Sequence, residues 1–125
     1  MRVKSIVLYK LILVACLNLV LTGCALAPLI GSRIEHERLM DGVYEGSYRS
    51  PPNSAVVKVT IAEGRIVNVE LVKHFASWKG KKVTEVIPRR IVSEQSTRVD
   101  AVTGATNSSR VIMNAVQRAV EKAYK

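Results

Sequence analysis

Ala55-Val56-Val57-Lys58-Val59-Thr60-Ile61-Ala62-Glu63-Gly64-Arg65-Ile66-Val67-Asn68-Val69-Glu70-Leu71-Val72-Lys73-His74 reads as two strands folded back on each other. In the first, Ala55 to Ala62, residues Val57, Val59 and Ile61 share one face, while Lys58 and Thr60 occupy the other. That period of two is the signature of a half-buried strand. Glu63-Gly64 is the tight connection, with a glycine where the backbone must take a positive φ. The return strand, Arg65 to His74, is expected to turn Val67, Val69 and Leu71 to the core and Asn68 and Glu70 to solvent. A lone hairpin is marginal in water, so its apolar face needs cover from elsewhere in the chain.

The flanks supply it. Upstream, a domain opens at Asp41-Gly42, and Val43 to Arg49 forms a further strand. Tyr44, Gly46 and Tyr48 face one way there, and Val43, Glu45 and Ser47 the other. Ser50-Pro51-Pro52-Asn53-Ser54 is a turn or loop. Downstream, Phe75 to Gly80 is a loop containing the chain's single Phe and single Trp, Trp78. Lys81 to Ile87 predicts a helical turn that Pro88 interrupts. Arg89 to Gln95 resumes a helix, and Thr97 to Val102 adds a short strand. Ser108 to Tyr124 is the strongest helix. Val111, Ile112, Ala115, Val116, Ala119, Val120 and Ala123 lie on one face, and Arg110, Asn114, Gln117, Arg118, Glu121 and Lys122 cover the other. Strands followed by helices, with hairpin connections, predict an α+β fold: a small antiparallel sheet packed against helices, ending in a long C-terminal helix.

The first forty residues differ in kind. Arg2, Lys4 and Lys10 precede an apolar run through Leu21, and Leu21-Thr22-Gly23-Cys24 follows. A basic start, an apolar middle and a small-residue exit describe a secretory signal. The ending resembles the bacterial lipobox, in which the chain is cut before a cysteine that is then acylated. An uncleaved membrane anchor is the alternative, but the run is short for a span of about 20 residues. Residues 1–23 are therefore expected to be a lipoprotein signal peptide, Cys24 the lipidation site, 24–40 a lipidated tether and 41–125 the domain. Either way the domain lies on the extracytoplasmic face of a bacterial membrane.

Removing 23 residues from 125 leaves 102, enough for one small domain with a real core. Cys16 and Cys24 are the only cysteines, so the domain holds no disulfide, thiol nucleophile or thiolate metal site. The net charge of +9 falls to +6 without the three signal cations. Its densest basic patch is Lys79, Lys81, Lys82, Arg89 and Arg90. With little aromatic interleaving, this predicts no nucleic-acid role; anionic lipid or an anionic ligand fits better. A solvated basic face accounts equally well for Arg89 and Arg90.

Chemistry concentrates in Asp100-Ala101-Val102-Thr103-Gly104-Ala105-Thr106-Asn107-Ser108-Ser109, just ahead of the long helix. Thr, Asn and Ser are favoured helix caps, and the free amides of a helix start attract a phosphate. Gly104 and Ala105 keep the approach small, and Arg110 offers a charge-assisted bond to the same phosphate. Residue types alone fit an ordinary capped helix equally well. Asn107-Ser108-Ser109 also fits an N-glycosylation pattern, which a bacterial lipobox makes irrelevant.

From Asp41-Gly42-Val43-Tyr44-Glu45-Gly46 to Tyr124 the chain resembles the FMN-binding domain family, as in the flavin-bearing subunits of the sodium-pumping quinone reductase and the ferredoxin-oxidising complex. Four pieces carry the resemblance in order: that opening strand; Glu63-Gly64-Arg65-Ile66; Ile87-Pro88-Arg89-Arg90-Ile91-Val92 with Gln95-Ser96; and Asp100 to Thr106, the family's Asp-x-x-Ser/Thr-Gly-Ala-Thr. The resemblance implies that FMN is the cofactor, carried on Thr106 through a phosphoester. It implies that a separate, magnesium-dependent flavin transferase makes the bond, taking FMN from FAD. Asp100, Thr103, Gly104, Ala105, Asn107, Ser108 and Arg110 would complete the binding site. The family often has a Pro-Gly loop after its third strand, where this chain has Phe75-Ala76-Ser77-Trp78-Lys79-Gly80. Trp78 is the candidate partner for the flat flavin ring. Tyr44 and Tyr48 are better explained by sheet packing, and His74 by a surface position. Lys79, Lys81 and Lys82 would favour an anionic reduced flavin.

The function so implied is a membrane-anchored electron carrier, with no catalytic residues of its own, no bound metal and unknown redox partner proteins. The alternative is a non-covalent FMN-binding module, or a structural lipoprotein with no redox role. A hydrolase lacks support: His36 and His74 are the only histidines, and neither has a nucleophile at a useful spacing.

Overall fold

The computed structural model describes the backbone of residues 2–20, 26–76 and 80–125, and side chains over 3–15, 26–76 and 82–125. Helix α1 (Arg2–Val20) precedes a three-stranded sheet of β1 (Gly42–Ser50), β2 (Asn53–Ala62) and β3 (Arg65–Phe75). Helices α2 (Gly80–Glu94) and α3 (Thr106–Ala123) follow. The strands are ordered β1-β2-β3 and antiparallel throughout. This is the expected α+β architecture. Helix α1 is apolar apart from Arg2, Lys4, Ser5, Lys10 and Asn18, and its residues 3–15 are exposed. Among the described residues, no helix is long and apolar enough to cross a membrane.

Helix α3 lies along one face of β1 and β2, and α2 flanks β3. Beneath α3, Val57, Val59, Ile61, Val111, Ile112, Val116 and Val120 are all at most 2 % exposed. Each such side chain contributes about 1.5–3 kcal/mol relative to an exposed position. Close approach of helix and sheet depends on Gly46. A Cβ there would collide with the backbone of Ala115 and Ala119, so the small residues of α3 and a bare strand position meet face to face. Tyr44, Gly46 and Tyr48 share a face as expected; that face points inward, and both tyrosines pack against the core.

The hairpin turn also matches. Glu63 and Gly64 both have positive φ, at 53° and 69°. Asp41 completes it from outside the hairpin: its two carboxylate oxygens accept from the amides of Gly64 and Glu63, each at 3.0 Å. Those two bonds hold the Asp41 carboxyl below the usual carboxylate range.

Four expectations need correction. First, strict alternation along β3 fails, because two register shifts interrupt it. Ile61 pairs with Ile66 while Thr60 pairs with Asn68, so Val67 is the extra residue of a bulge. Ile66 takes the core position and Val67 is 50 % exposed. A second shift leaves Val72 as the extra residue and turns His74 onto the inner face, opposite Ala55. Second, Pro88 does not divide α2, which is continuous over fifteen residues with Pro88 buried inside it. Third, Thr97 to Val102 is not a strand. Its neighbour Ser96 makes one isolated bridge to Arg33, and Thr97 N donates to Ser32 O.

The fourth concerns residues 26–40, within the stretch 24–40 expected to be a lipidated tether. They form a strap packed on the domain. Ala27, Ile34 and Leu39 are 1 %, 6 % and 6 % exposed and belong to the core. The strap includes a 3-10 turn at His36–Arg38 and bridges Leu39 to Tyr124. It runs alongside α3 in the same direction. Ala27 N donates to Asn107, Ile30 N donates to Asn114, and Met40 N donates to Ala123 O.

Candidate functional site

Helix α3 begins two residues earlier than expected, at Thr106, with Ala105 at the N-cap position. Ala105 has no side chain to cap with, and no side-chain cap bond is made. The amides of the first turn, which no intrahelical carbonyl can reach, are thus left without a side-chain acceptor. Gly104, at φ +79°, makes the turn into this start. Ala105 N donates to Val102 O at 3.0 Å, which closes it.

The hydroxyls and amide that follow were expected to cap the helix. They instead hold its start in place. Asn107 Oδ1 accepts from Ala27 N at 2.9 Å. Ser108, 7 % exposed, meets His74 Nε2 at 2.9 Å. Ser109 Oγ accepts from Val102 N and donates to Ala105 O, at 3.0 and 2.8 Å. Strap, strand β3 and motif loop are each fastened by one side chain. Of these four consecutive polar residues, Thr106 borders the cavity on the strap side of the helix start.

That cavity, about 410 Å³, is bounded by Leu29, Glu94, Arg98, Val99, Asp100, Ala101, Thr106, Arg110 and Met113. Asp100 is exposed at its rim. Arg90 fixes the loop below Asp100, with Nη1 donating to the Asp100 carbonyl at 2.6 Å. Arg110 Nη1 donates to Ala27 O at 3.2 Å, so strap and cavity share a wall.

The structure therefore brings together Asp100, Thr106 and Arg110. Thr103 and Gly104 are exposed on the adjoining turn, and Ala105 is half-buried beside it. The side chains of Asn107 and Ser108 are engaged by Ala27 N and His74 Nε2. Trp78 and Lys79 lie outside the described residues, as do the side chain of Lys81 and Cys24; Lys82 is exposed. His74 is half-buried rather than exposed. Burial of its ring holds its pKa below the usual histidine value.

Reading the sequence missed Arg98, the strap residue Leu29 and the structural task of Arg90. Arg98 stands two residues before Asp100, and that proximity was the available signal. Nothing in periodicity could place Leu29. Asn53, at the start of β2, has a buried Oδ1 without a hydrogen-bond partner among the described residues. Among the described residues no cluster of His, Cys, Asp and Glu could hold a metal ion.

A model of the FMN-binding domain family matches residues 53–121, from the start of β2 almost to the end of α3. An uncharacterized protein of Treponema pallidum (strain Nichols) is 37 % identical over 89 residues. The match covers 67 % of this chain and 24 % of that relative, so the chain spans about a quarter of its length.

Proposed function

Since the chain belongs to the FMN-binding domain family and FMN is its cofactor, we propose that it is a membrane-anchored, extracytoplasmic electron carrier with FMN esterified to Thr106. One observation carries the reading. Asn107, Ser108 and Ser109 are engaged by strap, strand and loop, and Thr106 lines the cavity between Arg98 and Arg110. The residues fit the group. An uncapped helix start favours phosphate oxygens, two guanidinium groups border the same space, and Gly104 and Ala105 add no bulk at the approach.

The roles of the chain's own residues follow. Thr106 Oγ1 would be the atom that takes the phosphoester, in exchange for the pyrophosphate bond of FAD, with adenylate as the leaving group and the hydroxyl proton passing to water. The separate flavin transferase supplies the metal for this step. Arg98 and Arg110 balance phosphate charge, and Arg90 holds the loop that presents Asp100. When bound, the flavin supplies reversible electron transfer, and the protein supplies attachment, orientation and field. Covalent attachment suits an exported carrier, because a dissociated cofactor is lost. Anchoring is supported by the basic, apolar character of α1, whose residues 3–15 are exposed, and by Cys24 at the end of a lipobox-like stretch.

Intact-mass measurement of the chain co-expressed with a flavin transferase tests the proposal. The expected result is an added mass equal to an FMN phosphoester, lost in Thr106→Ala. Unmodified wild type beside an active transferase would overturn it, and FMN retained only non-covalently would establish the simpler binding module.

A further inference from the structure

The strap fixes which end of the domain receives the chain from its anchor, and this rests on the membrane anchoring proposed above. Its first described residues are fastened at the start of α3. Ala27 N donates to Asn107 and Ala27 O accepts from Arg110. Ile30 N and Pro28 O both bond the side chain of Asn114. The strap then follows α3, about 27 Å long by its rise per residue, to Leu39 beside Tyr124 at the far end. Cys24 is three residues before Ala27, a reach of at most about 11 Å in any conformation. A free tether of seventeen residues would let the domain tumble; a strap fastened at Ala27 does not.

Charge agrees with this polarity. The end that holds Thr106 also holds exposed Arg49, Lys73, Lys82 and Arg98, with Asp100 and Glu94 as the exposed carboxylates beside the cavity. At the far end stand exposed Glu35, Glu37, Asp41 and Glu63, interspersed with Arg38, Arg65 and Lys125. An anionic membrane surface attracts the first end and not the second.

We infer that the Thr106 end of the domain docks on the anionic lipid surface, with the strap as the device that orients it. The flavin site then faces the headgroup layer, and the hairpin turn at Glu63-Gly64 points away from it.

The test uses the full chain with its native anchor, in vesicles of mixed phosphatidylcholine and phosphatidylglycerol carrying a headgroup-attached quencher. In the cleaved, acylated chain Cys16 is removed and Cys24 is blocked, so Thr103→Cys and Arg65→Cys each accept one fluorophore, at opposite ends. Quenching is expected to be several-fold stronger at position 103. The contrast should collapse in the double variant Asn107→Ala/Arg110→Ala, which removes both side-chain bonds to Ala27, while flotation with the vesicles persists. Flotation with equal quenching at both positions, or stronger quenching at 65, would overturn the docking alone. Failure to float at all would overturn the anchoring and the docking with it. Neither readout requires flavin, so the outcome is independent of whether Thr106 is modified.

Discussion

His74 Nε2 and Ser108 Oγ stand 2.9 Å apart, tying the last turn-in of β3 to the helix start that carries Thr106. The pair exists because a bulge at Val72 rotates His74 inward. Burial disfavours the charged imidazole, so the folded pKa lies below the ordinary 6.5. The sign follows from proton counting. Between the two pKa values the unfolded chain binds a proton that the folded chain does not, so stability falls as pH drops through that window. Urea midpoints at pH 7.5 and below 6 should show this loss in wild type and a smaller loss in His74→Gln. An equal loss in both chains would exclude His74 as its source.

Gln95 closes the sheet where no strand is available. Its Oε1 accepts from Ile66 N at 3.0 Å and its Nε2 donates to Ile66 O at 2.8 Å, imitating a neighbouring strand. Gln95 has φ +49°, so Gln95→Gly removes the side chain without backbone strain. It should still destabilise by about 2 kcal/mol, because two buried peptide groups lose their partner. Gln95→Glu should do no better at pH 7, since a carboxylate cannot donate to Ile66 O. Denaturant titration checks both, and a change below about 0.5 kcal/mol would show that water replaces the side chain.

Gly46 sets the distance between β1 and α3. Gly46→Ala places a methyl group against the backbone of Ala115 and Ala119, where neither a rotamer change nor a side-chain shift gives relief. A loss of about 3 kcal/mol is expected, against less than about 0.5 kcal/mol for Ser47→Ala on the exposed face. Thermal unfolding of the two variants makes the comparison.

These positions show what could be read beforehand. The core faces of β1 and β2 were legible because uninterrupted alternation has a single reading, and Glu63-Gly64 because a tight turn demands positive φ. Strand β3 was not, since a bulge adds a residue without any change in composition. Val67 and Ile66 are equally apolar, and only the pairing to β2 decides which is buried. Pro88 misled because its local cost is outweighed by burial of Val83, Ile87 and Ile91 along the same helix. The strap escaped notice for a different reason. Its fastenings are backbone groups of Ala27, Pro28 and Ile30 meeting Asn107, Arg110 and Asn114, and backbone groups leave no trace in residue type. Within the motif, the cavity-lining Thr106 was legible by position, whereas the tasks of Asn107 and Ser108 depended on partners distant in sequence.

Ser109 bears on loading of the site rather than on the site itself. Its hydroxyl spans the motif turn, accepting from Val102 N and donating to Ala105 O. Ser109 is fully buried and lies one turn of helix beyond Thr106. Ser109→Ala leaves the Val102 amide unpaired, at a cost of about 1–3 kcal/mol, and frees the turn that presents Thr106. If Thr106 is the acceptor as proposed, the folded variant should accept flavin more slowly while retaining that hydroxyl. Time courses of mass gain with a flavin transferase should show a reduced initial rate that approaches the wild-type end point. Ser109→Cys, with a weaker donor and acceptor of similar size, should fall between the two. A wild-type rate in Ser109→Ala would mean that the transferase itself shapes the turn, and the preformed geometry would then have no part in recognition.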